Sequence, residues 1–309
     1  MSERRVPVTV IGGYLGAGKT TLINQLLAGR HGRRLAILVN DFGSVNIDAG
    51  LIASHDGETI SLENGCICCS LADSLGDALD AVLALDPAPD QIVIEASGVA
   101  DPAKVAYYGQ GWPGCRLDAV VVLADAEMIR GLSDDQFVGE LVTRQLRSGD
   151  VVALTKTDLV PDSSLDELEA WINTMDETSG TVVRVAHGLV DHRVVLDSAG
   201  DVASFGSTGE SVDAHELFES VVFEFSSAVE REWLESALES WSDQIVRVKG
   251  IIALVDEGRH LVHRVAKRWS IEPTSDNCHA NSLVVVALSG ATELSQIAAD
   301  VKRVNLLKD

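Results

Sequence analysis

The chain has 309 residues, which is long enough for one large domain and a smaller one. Hydrophobic residues make up 46% and charged residues 23%, as in an ordinary globular protein. Its 47 acidic residues outnumber the 24 basic ones, and the net charge of −23 makes nucleic acid and anionic membranes poor partners. Three of the five cysteines lie within four positions, which is no disulfide framework, and no apolar stretch is long enough to cross a membrane. The sequence therefore predicts a cytoplasmic protein.

Short apolar runs alternate with amphipathic segments over the first two-thirds of the chain. This alternation predicts an α/β fold with a mostly parallel sheet covered by helices on both faces. The predicted strands are Val6–Ile11, Leu35–Val39, Gln91–Glu95, Leu117–Ala124, Val151–Thr155 and Thr181–Ala186. The predicted helices are Lys19–Ala28, Leu71–Leu85, Gln136–Arg147 and Leu165–Met175. In such sheets, ligands bind at the carboxyl ends of the strands.

The last third of the chain has a different pattern. A polar stretch rich in glycine and serine predicts a linker at 197–216, between a nucleotide-binding domain at 1–196 and a smaller α+β domain at 217–309. The predicted strands of the smaller domain are Val221–Phe225, Ile245–Val255, His260–Trp269 and Ser282–Ala287. Its predicted helices are Glu230–Trp241 and Thr292–Val301. We expect its sheet to be antiparallel.

Residues 13–20, with the sequence GYLGAGKT, match the phosphate-binding loop pattern of P-loop NTPases at every fixed position. A predicted strand precedes the loop and a predicted helix follows it, as the pattern requires. The glycines let several backbone N–H groups point at one anion, beside the positive end of the helix. Lys19 is expected to reach the β- and γ-phosphates, and the Thr20 hydroxyl is expected to ligate Mg²⁺.

Acidic residues end two of the predicted strands near this loop. Glu95 ends an apolar strand, where a P-loop NTPase needs a carboxylate that holds Mg²⁺ or its water. Gly98 follows shortly after and would let a backbone N–H approach the γ-phosphate closely. Asp41 follows the second strand, and three roles remain open for it. It could ligate Mg²⁺, position the attacking water, or contact an ion held by nearby thiols.

The segment Thr155-Lys156-Thr157-Asp158 fits the guanine-recognition pattern [NT]-K-x-D and follows an apolar strand. The carboxylate of Asp158 can accept hydrogen bonds from N1–H and the exocyclic amine of guanine, a donor pair that adenine lacks. The stem of Lys156 can cover the plane of the base. GTP is therefore favoured, although Thr155 in place of the commoner Asn leaves ATP open.

Cys66, Cys68 and Cys69 form a cluster between the second strand and the strand that ends in Glu95. Thiolates bind soft or borderline ions such as Zn²⁺. Three thiols this close in sequence need a fourth ligand or a water to complete a tetrahedron, and the candidate ligands are Asp41, His55 and Glu63. The alternatives are cysteines that are merely buried, or a vicinal redox pair.

The motifs GGYLGAGKTT, VNDFG, ENGCICC, EASGVADP and TKTD, in this order, resemble those of the CobW-type GTPases, which include nitrile hydratase activators and zinc-transfer G proteins. The resemblance runs from Val8 to about Asp191, and the stretch from Arg247 to Gly250 is more weakly similar to the family's C-terminal domain. It implies a protein that binds Zn²⁺ or Co²⁺ at Cys66, Cys68 and Cys69. Asp41 stands where many members have Glu, and the family's histidine-rich run is absent.

Together, these observations predict a slow GTPase that couples nucleotide binding to delivery of Zn²⁺ or Co²⁺ to a client metalloprotein, with a possible GTP-dependent homodimer. Turnover should be slow, because the sequence shows no arginine finger or water-positioning glutamine. The alternatives are a GTP-binding metal sensor or buffer, and a small-molecule kinase. Lys19, Asp41 and Glu95 are predicted to be catalytic, and Thr20 and Glu95 to hold Mg²⁺. The predicted nucleotide contacts are Gly13, Gly16, Ala17, Gly18, Lys19, Thr20, Thr21, Gly98, Thr155, Lys156 and Asp158.

Overall fold

The fold was determined from a computed structural model, which describes residues 5–29, 32–39, 51–53, 59–61, 71–175, 180–188, 190–196, 218–242, 244–274 and 281–306. The described residues fall into two compact units, one within 3–197 and the other within 198–309. The predicted linker at 197–216 lies outside the described residues. None of the described helices is long and apolar enough to span a membrane.

The first unit is built on a sheet whose described strands are β1 (Val6–Gly13), β2 (Leu35–Val39), β3 (Leu51–Ala53), β4 (Thr59–Ser61), β5 (Gln91–Glu95), β6 (Cys115–Asp125), β7 (Val151–Thr155) and β8 (Thr181–Arg184). Their order is β4-β3-β2-β5-β1-β6-β7-β8. The strands from β2 to β8 in this order run parallel, and β3 and β4 add an antiparallel pair at one edge. The predicted α/β fold with a mostly parallel sheet is confirmed.

Helices connect these strands, because parallel neighbours need a crossover connection. The described helices of this unit are α1 (Lys19–Ala28), α2 (Leu71–Leu83), α3 (Pro102–Gly111), α4 (Ile129–Ser133), α5 (Gly139–Ser148), α6 (Asp162–Thr174) and α7 (His192–Val195). Helix α3 was not predicted. It begins at an Asp101 cap, whose carboxylate accepts the N–H of Ala103 at 3.0 Å, followed by a proline in the first turn.

A buried polar cluster lies toward the amino ends of the central strands. Thr9 on β1, Gln91 at the start of β5 and Asp118 on β6 are all fully buried. The Gln91 amide donates to Thr9 Oγ1 at 2.7 Å and to Asp118 Oδ2 at 3.2 Å, and Thr9 Oγ1 is 2.9 Å from the Val195 carbonyl. This cluster fixes the end of helix α7 to the sheet, at the opposite end of β5 from Glu95.

The second unit contains a separate antiparallel sheet in the order β12-β11-β10-β13-β9. Its described elements are β9 (Phe218–Glu224), α8 (Arg231–Ser240), β10 (Ile245–Leu254), β11 (Gly258–Val265), β12 (Arg268–Pro273), β13 (Ser282–Leu288) and α9 (Glu293–Leu306). The prediction of one strand over His260–Trp269 is wrong. The chain reverses at Ala266, which has a left-handed φ of 49°, so that Val265 pairs with Arg268. The turn lacks the glycine or asparagine that normally indicates such a hairpin.

Candidate functional site

The loop between β1 and α1 turns sharply at its glycines. Gly13, Gly16 and Gly18 have left-handed φ values of 129°, 79° and 99°. A Cβ atom at Gly13 would also lie 2.3 Å from the Leu123 carbonyl oxygen of the neighbouring strand β6, so a side chain has no room there. The first turn of α1 adds N–H groups that a helix cannot satisfy internally. The loop therefore has the form of an anion-binding site.

The Lys19 side chain folds back over this loop. Its Nζ donates to the carbonyl oxygens of Gly13 at 2.8 Å and Tyr14 at 3.3 Å, and the residue is only 8% exposed. These contacts hold the ammonium group over the loop. A phosphate bound by the loop amides would therefore meet a positive charge that is already in place.

A hydroxyl and a carboxylate meet beside the loop. Thr20 Oγ1 donates to Glu95 Oε1 at 3.3 Å, and Glu95 is buried at the end of β5, directly beside β1. Mg²⁺ prefers hard oxygen ligands and is commonly held by one or two carboxylates together with substrate phosphates. This oxygen pair fits that requirement. Asp41, the other predicted acidic residue, lies outside the described residues.

The turn after Glu95 lies directly against the phosphate loop. It is closed by a hydrogen bond from the N–H of Ala100 to the carbonyl of Ser97 at 2.9 Å. A Cβ atom at Gly98 would lie 2.5 Å from Leu15 Cδ2 and 3.0 Å from the Leu15 nitrogen. The glycine leaves the two backbone segments close together, and a larger residue would require Leu15 to move. Gly98 therefore lies against the phosphate loop, and its contact with the terminal phosphate stays a prediction.

The segment predicted to recognise guanine, residues 155–158, is joined to the phosphate loop by Thr155. Its Oγ1 donates to the carbonyl of Ala17 at 2.9 Å and lies 3.3 Å from that of Ala124. Lys156 follows with a left-handed φ of 59°, and its Nζ is 2.5 Å from Asp125 Oδ2. The hydrogen bond that Lys156 donates to the Asp125 carboxylate raises the pKa of Lys156. The ion pair holds the lysine stem in one orientation beside the loop.

Asp158 is held by the segment that follows β8. Its Oδ1 accepts the backbone N–H of His187 at 2.8 Å, and its Oδ2 lies 3.3 Å from His187 Nδ1. The backbone hydrogen bond lowers the pKa of Asp158, which keeps the carboxylate ionised. A Cβ atom at Gly188 would lie 3.2 Å from Thr21 Cγ2, so this segment also reaches the start of α1. The structure thus brings the predicted phosphate and base contacts to one edge of the sheet.

Three residues at this edge were not predicted as site residues: Asp125, His187 and Gln145. Asp125 ends the apolar strand β6 as Glu95 ends β5, so the rule that identified Glu95 would also have found it. His187 and Gln145 carry no comparable signal. Each is identified only by a hydrogen bond to a residue distant in sequence. His187 binds Asp158, and Gln145 binds the turn at Gly98.

The predicted metal-binding cysteines, Cys66, Cys68 and Cys69, lie outside the described residues, as do His55 and Glu63. In the part of the chain that the structure describes, no group of three or more His, Cys, Asp and Glu side chains could hold a metal ion. Cys115 on β6 is described and buried. Burial, followed by the nearby charge of Asp80, raises the pKa of its thiol to about 11, so it remains protonated and unreactive.

Comparison with known proteins identifies matches along both units. Residues 7–183 match the family described as CobW/HypB/UreG, nucleotide-binding domain, and residues 218–301 match the cobalamin synthesis protein cobW C-terminal domain. The chain is 30% identical to the zinc chaperone YjiA of Escherichia coli K12 over 85% of this chain and 86% of that protein. It is 29% identical to the zinc chaperone CobW of a Sinorhizobium species over 82% of this chain and 79% of that protein. A crystal structure of a Zn(II)-bound triple mutant of the YjiA GTPase is 23% identical, covers 96% of this chain and 98% of its own, and has a TM-score of 0.47.

Proposed function

Because the chain belongs to the CobW/HypB/UreG family, we propose that it is a GTP-binding metallochaperone that hydrolyses GTP slowly and delivers a metal ion to a client metalloprotein. The names of its relatives, two zinc chaperones, favour Zn²⁺ as the cargo, and Co²⁺ is the other candidate. The proposal includes a division into a GTPase domain at 1–196, a linker at 197–216 and a C-terminal domain at 217–309.

The observation that carries the proposal is the hydrogen bond between Thr155 Oγ1 and the Ala17 carbonyl, at 2.9 Å. It fixes the segment that ends in Asp158 directly against the phosphate loop. A single nucleotide can then place its phosphates over Lys19 and its base against Asp158. The ionised carboxylate of Asp158 suits the two N–H groups of guanine, which supports GTP as the nucleotide.

Hydrolysis in this site would depend on charge stabilisation. Lys19 and the amides of the phosphate loop oppose the negative charge that develops on the transferring phosphoryl group. Thr20 and Glu95 would hold Mg²⁺, which neutralises charge on the β- and γ-phosphates when bound. Gly98 would donate its N–H to the γ-phosphate. We assign Asp41 to the same edge, as a ligand or as the residue that positions the attacking water.

The cargo is proposed to bind at the thiolates of Cys66, Cys68 and Cys69. In sequence this cluster lies between Asp41 and Glu95, two carboxylates proposed to act near the γ-phosphate. Binding of GTP would therefore change the affinity of the thiols for metal. Leu15 in the phosphate loop and Val99 in the turn after Glu95 have large apolar side chains that are 62% and 48% exposed. Their exposure supports a client protein or a second copy of this chain covering this edge in the GTP-bound state.

Single-turnover hydrolysis of GTP, measured with and without Zn²⁺, tests the proposal. We expect slow release of inorganic phosphate at a rate that Zn²⁺ changes. The matched control is a variant with Cys66, Cys68 and Cys69 changed to Ser, whose rate should not respond to the metal. Tight GTP binding without any hydrolysis would instead indicate a metal sensor or buffer. Transfer of the phosphoryl group to a small molecule would indicate a kinase.

A further inference from the structure

A buried glutamine on helix α5 holds the turn that carries Gly98. Gln145 is only 1% exposed, and its Nε2 donates to the carbonyl oxygens of Gly98 at 3.1 Å and Ala100 at 2.7 Å. Both N–H donors of its amide therefore bind the same turn, which lies more than 40 residues earlier in the chain. The turn is fixed on two sides, by Leu15 of the phosphate loop and by Gln145.

The acceptor of the same amide is unused. Gln145 Oε1 is buried and has no hydrogen-bond partner within the described residues. Burying an unsatisfied acceptor is unfavourable for folding, so the residue is not optimised for stability alone. Its two donors instead set the path of the backbone at Gly98 and Ala100. Buried polar groups that are incompletely satisfied often mark places where the chain serves function at a cost to stability.

We infer that Gln145 is a positioning residue for the terminal phosphate of GTP. It holds the turn at the distance from the phosphate loop at which the Gly98 N–H reaches the γ-phosphate. GDP has no γ-phosphate, so its affinity does not depend on this turn. Gln145 therefore determines how strongly the protein distinguishes GTP from GDP. This inference rests on the proposed function, since it concerns the same nucleotide site.

The test is the substitution Gln145→Met, which keeps the length of the side chain and removes both donors. Affinities for GDP and for a non-hydrolysable GTP analogue are measured by titrating fluorescent nucleotides in the presence of Mg²⁺. We expect the affinity for the GTP analogue to fall about tenfold, as for the loss of one to two hydrogen bonds, while that for GDP stays unchanged. If this variant does not fold, Gln145→Asn, which keeps the amide but is too short to reach both carbonyls, is measured in the same way.

The matched control is Gln91→Met. Gln91 is also a fully buried glutamine, but it binds Thr9 and Asp118 at the opposite end of β5 from Glu95. This variant should be less stable in urea and should keep the ratio of GTP-analogue to GDP affinity. An unchanged ratio in the Gln145 variants would give Gln145 a purely structural role and overturn the inference alone. Failure of the unmutated protein to bind either nucleotide would overturn the proposed function and the inference with it.

Discussion

Replacing Lys19 with alanine is expected to lower the affinity for GTP by about 100-fold or more and to abolish detectable hydrolysis. The Lys19 ammonium is held over the phosphate loop by the carbonyls of Gly13 and Tyr14, so its charge acts on a bound phosphate without reorganisation. Binding is measured by titration of fluorescent GTP, and hydrolysis by release of inorganic phosphate.

The fold should survive this substitution, because the loop takes its shape from its glycines and from the backbone rather than from the lysine. Circular dichroism and the urea unfolding midpoint check this directly. Lys302→Ala is the matched control, since Lys302 is an exposed lysine on helix α9 of the second unit and its loss should leave GTP binding unchanged. Hydrolysis at the normal rate by the Lys19 variant would show that residues 13–20 are not the phosphate site.

Replacing Asp158 with asparagine is expected to weaken GTP binding about 100-fold and to leave the weak binding of ATP unchanged. The N–H of His187 already binds one carboxylate oxygen of Asp158. An asparagine would turn its only oxygen toward that N–H, so its NH₂ group would face the base. The NH₂ group of the asparagine, a donor, would then face the N1–H and exocyclic amine of guanine, which are donors as well and need acceptors. Competition of GTP and ATP against a labelled nucleotide measures the change.

Xanthosine triphosphate distinguishes this explanation from general damage to the site. Xanthine carries a carbonyl where guanine carries its exocyclic amine, so the NH₂ group of the Asp158→Asn variant has an acceptor again. We expect this variant to bind xanthosine triphosphate more tightly than GTP. Asp162→Asn, an exposed position on helix α6, should change neither affinity. Equal affinity of the unmutated protein for ATP and GTP would contradict guanine recognition at Asp158.

Much of the first unit could be predicted because its signals are local in sequence. The strands of a sheet covered on both faces are short, almost continuous apolar runs, and six of the eight described strands stand out in this way. The two strands missed, β3 and β4, are only three residues long and lie at the edge of the sheet. The hairpin at Ala266 was missed because a left-handed alanine gives no sequence signal.

Residues of the candidate site could be predicted where a sequence pattern with fixed spacing requires one residue type for one chemical role. Lys19, Thr20 and Asp158 belong to such patterns, and Glu95 follows from its place at the end of a strand. Gln145 could not be predicted, because its importance depends on two carbonyls that the fold brings to it from a distant turn. His187 belongs to the same class, since its backbone N–H, which any residue other than proline supplies, holds Asp158.

The central claim is that nucleotide state controls metal affinity, and a zinc titration tests it most directly. A chromophoric chelator competes with the protein for Zn²⁺ in the nucleotide-free, GDP-bound and GTP-analogue-bound states. We expect about one ion per chain, lost when Cys66, Cys68 and Cys69 are changed to Ser, and an affinity that differs between GDP and the GTP analogue by about 5- to 150-fold. Because coupling is reciprocal, Zn²⁺ must change the relative affinity for the two nucleotides by the same factor. Identical zinc affinity in all three states would contradict the metallochaperone mechanism.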